Sequence, residues 1–178
     1  MVATHLQQSA ANLTITRLDP DAWQDFKVLR LDALATDPQA FEASYESLRV
    51  KPDAYWAEQL QRAAQGNGFW LLFARREQRL VGMVGAVIGE EEQTANITAV
   101  FVSKTERGHG VGTELMGALL EELRQDRSVQ RLRLYVNVAQ TAALHLYDHF
   151  GFLVVEPERA RYGDGQYHDG YVMERLSA

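Results

Sequence analysis

Apolar positions along this chain fall into short runs of period two and longer runs of period three to four, the sign of strands and helices in turn. Leu13 to Arg17 reads as an opening strand, and Asp19-Pro20 is a start signal for a helix from about Asp21 to Ala35. Pro38 and Pro52 punctuate a helical region whose pieces are Phe41 to Arg49 and Asp53 to Ala64. Phe69 to Arg75 and Arg79 to Ile88 pair as a hairpin around Glu77-Gln78, and Ala95 to Val102 extends that sheet. From Gly110 to Gln125, Leu115, Leu119 and Leu123 recur every four residues while Glu114, Glu121 and Glu122 turn to water, so this helix packs on the sheet. Leu134-Tyr135-Val136 closes a short strand. A helix from Ala139 to Phe150 follows, with Ala139, Ala143, Leu146 and Phe150 on one stripe, Tyr147 at its border and Gly151 as a left-handed C-cap. Leu153 to Val155 and Gly170 to Leu176 are the last strands, separated by the turn-rich Tyr162-Gly163-Asp164-Gly165-Gln166. The pattern predicts one α/β (α+β) domain over 13–178, a mixed, mostly antiparallel sheet of six to seven strands flanked by about four helices.

The segment from Val100 to Leu115 carries the most chemistry. It reads as a buried strand, a glycine loop and a helix start, the arrangement that exposes main-chain N–H groups to an anion. Gly108, Gly110 and Gly112 lack a Cβ, which permits unusual φ values and lets a ligand approach the backbone around His109, Val111 and Thr113. Arg107 and Lys104 add positive charge. Charge-assisted hydrogen bonds contribute roughly 1.5–3 kcal/mol each, enough in combination to hold a diphosphate on an acidic protein. A Walker loop needs a Lys before Ser or Thr after its second glycine, and none is present. A dinucleotide fingerprint needs Gly-x-Gly-x-x-Gly and an acidic residue near the end of the next strand; this loop is Gly-x-Gly-x-Gly and that strand ends at Val136-Asn137. A turn whose glycines serve chain geometry alone is the other reading of the loop.

A second motif follows. Arg107, Gly110 and Gly112 match Arg/Gln-x-x-Gly-x-Gly/Ala, and Leu134, Val136, Gln140, Ala143, Leu146, Tyr147, Gly151 and Phe152 match Leu-x-Val, Asn-x-x-Ala-x-x-Leu-Tyr and Gly-Phe, with Gln140 where Asn is usual. In both signatures, in this order, the chain resembles the GNAT superfamily of N-acetyltransferases. The resemblance implies acetyl-CoA as co-substrate, its pyrophosphate held by Arg107, Gly108, His109, Gly110, Val111, Gly112 and Thr113. It further implies that the strands Ala95 to Val102 and Arg131 to Val136 run parallel and splay apart, with the pantetheine arm along Val100, Phe101 and Val102 and against Gln140. A main-chain N–H near Phe101 would stabilise the developing oxyanion, and Tyr147 would be the general acid that serves the leaving sulfur. The acceptor would enter between Phe41-Glu42-Ala43-Ser44-Tyr45 and the Tyr162 to His168 loop.

Composition narrows the chemistry. The chain has 178 residues, 46% of them hydrophobic, which suits one compact enzyme domain. It has no cysteine, so there is no disulfide, no thiolate metal site and no acyl-cysteine step, and acetyl transfer is expected to be direct, through a ternary complex. The net charge of -6 argues against nonspecific nucleic-acid binding and favours a cationic partner such as a small-molecule or peptide amine. Met1 to Asn12 reads as a flexible polar tail without a signal-peptide core, and no segment has the length and apolarity to span a membrane, so a cytoplasmic protein is expected. A homodimer is compatible with the sequence. His145 and His149 stand four apart without the glutamate of a zinc motif, so no metal is expected. Glu90-Glu91-Glu92 reads as a solvated hairpin end.

An attacking amine must be neutral. At a pKa of about 10.4 the neutral fraction at pH 7 is roughly one in 2,500, a cost of about 4.6 kcal/mol unless the site takes the proton. On the strand before the loop the inward positions are Asn96 and Thr98, neither basic, so Glu42, Glu174, His168 and Asp169 are the substitute bases, beside a water relay past Thr98. Non-catalytic readings also stand: an acyl-CoA-binding regulatory module, and a phosphate-binding regulatory domain.

Overall fold

The computed structural model describes residues 12–89 and 93–177. Its strands are β1 (Leu13–Thr16), β2 (Phe69–Arg76), β3 (Arg79–Ile88), β4 (Thr94–Val102), β5 (Arg131–Asn137), β6 (Leu153–Arg161) and β7 (Tyr167–Leu176), joined in one sheet of order β1-β2-β3-β4-β5-β7-β6. Every neighbouring pair is antiparallel except β4 and β5. The helices are α1 (Trp23–Thr36), α2 (Tyr45–Arg49), α3 (Asp53–Gln65), α4 (Val111–Gln125) and α5 (Thr141–His149).

Strand β2 shows how the sequence builds two layers. Trp70, Leu72 and Ala74 point to one face, where Leu115, Met116, Leu119 and Leu123 of α4 pack, and Leu71 and Phe73 point to the other, against Phe26, Leu29, Ala33 and Leu34 of α1 and Trp56 and Leu60 of α3. A strand covered on both faces is apolar at successive positions, and Trp70 to Ala74 are all buried. Phe26 lies edge-on to both Trp56 and Phe73, with ring centroids 5.4 and 5.5 Å apart, which locks α1 and α3 to the sheet.

The parallel pair is short. Thr94, Ala95 and Asn96 pair with Arg131, Leu132 and Arg133, and beyond them β4 stays with β3 while β5 stays with β7, so the two strands part. A bulge accompanies the parting. Thr98 pairs with Gly85 and Phe101 with Met83, which leaves one extra residue on β4, and Ala99 sits there at φ +56°. A left-handed alanine costs roughly 1–2 kcal/mol, and a bulged strand bends.

Three local expectations change. Only Tyr45–Arg49 of the expected 41–49 helix is helical, because the Ser44 side chain accepts from the Ser47 N–H and starts the helix there, leaving Phe41 extended. Strand β6 runs to Arg161 rather than Val155; Pro157 and the charges around it weaken the strand signal, but an edge strand tolerates both. Tyr167 and His168 belong to β7, so the turn is confined to Tyr162 to Gln166, closed by bonds between those two residues and from the Gly165 N–H to the Tyr162 carbonyl. The expected tail, apart from Asn12, and the run Glu90-Glu91-Glu92 lie outside the described residues.

Two glycines test the packing in opposite directions. A Cβ on Gly82 would stand 2.8 Å from the Phe101 carbonyl oxygen and 2.9 Å from Leu115 Cδ1, whereas one on Gly117, inside α4, would meet nothing closer than Phe150 Cζ at 4.0 Å. Gly82→Ala is expected to destabilise by about 1–3 kcal/mol and Gly117→Ala to stabilise by about 0.5–1 kcal/mol, both read from urea unfolding midpoints.

Candidate active site

Strand β4 ends at Val102 and passes through a turn over Lys104–Glu106 into the glycine loop. Gly108 and Gly110 have φ of +76° and +80°, and a Cβ on either would meet nothing within 4 Å, so backbone conformation, and not crowding, calls for glycine there. Gly110 caps α4 without any side-chain acceptor for the first amides. The N–H groups of Val111, Gly112 and Thr113, which have no intrahelical acceptor, therefore face an exposed loop with the positive end of the helix behind them. Arg107 steadies this loop: its Nε donates to the Val102 carbonyl at 2.9 Å and its Nη2 pairs with Asp37 at the end of α1. Its charge is therefore already partly engaged. Lys104 lies on a separate open groove of about 920 Å³, with Val28, Asp32 and Arg79, that shares no lining residue with the cavity described next.

A cavity of about 400 Å³ lies where β4 and β5 part. Asn96 to Val100 form one wall and Tyr135 to Asn137, Gln140 and Tyr147 another, while Arg30, Phe41, Glu42, Ala43 and Tyr162 close its remaining side. Tyr147 is 5% exposed, packs edge-on to Phe152, and is held well above the ordinary phenol range by burial, so it stays protonated and keeps a proton to donate. The Gln140 side chain makes no cap on α5 and lines the cavity. Asn137, 2% exposed, gives its Nδ2 to the Gln39 carbonyl and accepts from the Ala139 N–H, which ties the end of β5 to the start of the 41–44 loop. Asn96 Oδ1 is buried and accepts from nothing.

The family model for the acetyltransferase (GNAT) family matches residues 24–152, a span that holds the loop, both parted strands and Tyr147. The chain belongs to the GNAT family. Mycothiol acetyltransferase of Salinispora tropica is 32% identical over 137 residues, which cover 75% of this chain and 41% of that protein, so the chain spans less than half the length of this curated relative. A GNAT acetyltransferase from Streptococcus pneumoniae has the same fold at a TM-score of 0.82 and 19% identity, over 93% of this chain and 99% of that one. An acetyltransferase of Salmonella typhimurium solved with acetyl-CoA superposes at 0.78 and 17% identity, over 94% of this chain and 95% of the other.

Within this GNAT fold the candidate bases separate. Glu174 holds Arg133 at 2.6 Å and Arg131 at 3.6 Å across β5 and β7, which commits it to structure. His168 Nε2 sits 2.7 Å from Asp164 at the turn, Asp169 stands near Arg159 at 3.9 Å, and neither lines the cavity. Glu42 does line it. Sequence reasoning missed Glu158 and Arg30, and placed Tyr162 on an acceptor wall without singling out its phenol. Glu158 on β6 has a buried, unpartnered Oε2, and burial, then Glu42 and Glu156, raise its carboxyl pKa. Tyr162, 5% exposed, has its phenol pushed up to about 12 by burial and then by Glu158 and Glu42. Arg30 lies among the buried Phe26, Leu29, Ala33 and Leu34 of α1; a lone charge inside an apolar stripe was its signal. Of the expected acceptor walls, Phe41, Glu42, Ala43 and Tyr162 reach the cavity, and Tyr45 and Tyr167 are exposed. Among the described residues no three His, Asp or Glu side chains form a metal-binding group, and no helix is long and apolar enough to cross a membrane.

The two walls touch. The Gly163 N–H donates to the Phe41 carbonyl at 2.6 Å, and a methyl on Gly163 would overlap the Ala43 carbonyl oxygen and lie 3.1 Å from that of Phe41. Gly163→Ala is expected to raise the KM of the acceptor several-fold and lower Tm, with coenzyme A affinity unchanged by calorimetry.

Proposed function

We propose that this chain is an acetyl-CoA-dependent N-acetyltransferase that moves acetyl directly to a primary amine within a ternary complex. The observation that carries the reading is the parting of the strands: one cavity between them runs from Val100 on β4 to the buried, protonated Tyr147. Membership of the GNAT family and the likeness to a fold solved with acetyl-CoA support it.

The co-substrate supplies an acetyl group activated as a thioester. The amides from Gly108 to Thr113 bind its pyrophosphate, with Arg107 fixing their geometry. Val100 and Gln140 line the cavity and flank the pantetheine arm, whose path runs on along the main chain of Phe101 and Val102, and an N–H near Phe101 serves the oxyanion. Glu42, directly or through water held at Thr98, accepts the ammonium proton so that the amine nitrogen can form the new C–N bond. The attacking nitrogen sheds its second proton to solvent as the amide forms, and Tyr147 donates its proton to the sulfur as the C–S bond breaks and recovers one from solvent, so the products are the acetamide and the free thiol. The lack of cysteine removes an acyl-cysteine route.

One observation favours the rival reading of a non-catalytic acyl-CoA module: β4 offers Asn96 and Thr98 to the cavity and no carboxylate. Thiol release from acetyl-CoA across an amine panel, with mass detection of the acetylated product, separates the two. Tyr147→Phe is expected to lower kcat by about 10²-fold or more with coenzyme A affinity retained. Because burial raises the Tyr147 phenol above its ordinary value, its protonated form persists beyond about pH 10. The kcat profile should therefore show no alkaline fall below that pH, and a fall centred near pH 8 would remove Tyr147 from this role.

A further inference from the structure

Charges that find no partner inside the chain are informative where they line a cavity. Arg30 is such a charge. It projects from α1 and lines the cavity between the parted strands, with its guanidinium stacked 4.6 Å above the Phe41 ring. Its Nη1 is closed to solvent and donates to nothing, and among the described residues no carboxylate forms a salt bridge with it. Burial lowers its pKa to about 10, against a smaller raising effect from Tyr55, so the site disfavours the bare cation and no carboxylate among the described residues pairs with it to offset that. A guanidinium forks toward two acceptor oxygens, the shape of a carboxylate.

The same cavity also has a negative side. Glu42 lines it without an ion pair, and Glu158, whose Oε2 has no partner, lies close enough for each to act on the Tyr162 phenol. Opposite charges in one cavity would ordinarily pair, yet Arg30 forms no salt bridge with Glu42 or Glu158. That separation leaves room for a ligand bearing both complements, an ammonium at the acidic side and an acid group at Arg30. A cavity of about 400 Å³ suits a small molecule of this kind.

We propose that Arg30 anchors a carboxylate on the acetyl acceptor, so that the acceptor is a free amino acid or a comparably small amino carboxylic acid. The inference rests on the acetyl-transfer reading for its chemistry but not for its binding step. The guanidinium lies over the Phe41 ring, and Glu42, which lines the same cavity and makes no salt bridge with Arg30, receives the amine. The amine of a polyamine or of a protein N-terminus has no neighbouring carboxylate and leaves Arg30 unpaired.

The test compares each of a panel of L-amino acids with its primary amide and its decarboxylated amine. Calorimetry with coenzyme A present measures binding to the wild-type chain, Arg30→Met and Arg30→Lys, while thiol release from acetyl-CoA measures turnover. At least one free acid is expected to bind the wild type 50-fold or more tightly than its amide. Arg30→Met should cut that ratio below about 5-fold and Arg30→Lys should restore part of it, with coenzyme A affinity and Tm held. Should Arg30→Met fail to fold, Arg30→Lys and the wild-type acid-to-amide ratio still decide. Equal binding of acids and amides, no acid bound at all, or preferential binding of polyamines or peptide N-termini would overturn the proposal. Selective acid binding without thiol release keeps Arg30 in its role and sinks acetyl transfer; thiol release with amides and acids alike does the reverse.

Discussion

The parting of β4 from β5 is the constraint on which the rest of this molecule depends. Three residue pairs hold the strands together at Thr94 to Asn96, and after that each strand satisfies its main chain on its outer neighbour only. Beyond Asn96 the main chains of β4 and β5 no longer pair with each other. A left-handed Ala99 sustains the bend, at a strain cost that the surrounding β3 pairing and the packing of Phe101 have to offset. Parting opens the cavity that Gln140 and Tyr147 line beside β4, and β4 runs on from it through Val102 toward the glycine loop.

How much of this was legible beforehand follows from the range of the interactions involved. The glycine loop and the α5 motif are local: each is a strand, a turn and a helix start whose residues lie within one segment, and both stand where the sequence predicted them. The Ser44 cap is just as local but was hidden by apolar residues of helical spacing ahead of it. Strand β6 was cut short because Pro157 and four nearby charges read as loop, and only its place at the sheet edge makes them acceptable. Glu174, His168 and Asp169 were indistinguishable from Glu42 as candidate bases in sequence. What separates them is partnership across strands: two arginines, a turn aspartate and an exposed arginine occupy or displace the first three.

Glu158 and Arg30 were missed for a related reason. Each matters through what it lacks, a partner for a buried charge or a polar atom, and such a deficit cannot be read without the neighbours that fail to supply one. Burial moves Arg30, Glu158 and Tyr162 in the direction that disfavours charge, and Glu42 presses the same way on Glu158 and Tyr162. The fold keeps these groups rigid on α1, β6 and the adjoining turn, so the free energy lost in holding them apart is available to a ligand that complements them.

The contact of Gly163 with the Phe41 to Ala43 loop joins a segment near the front of the chain to one near its end with no space for a single carbon between them. Neither rim of the cavity can be reshaped in isolation: a bulkier or longer insertion on one side displaces the other. Divergence toward new acceptors, by evolution or by engineering, thus requires paired changes in two distant stretches of sequence. A library that randomises only one of them would explore mostly misassembled entrances.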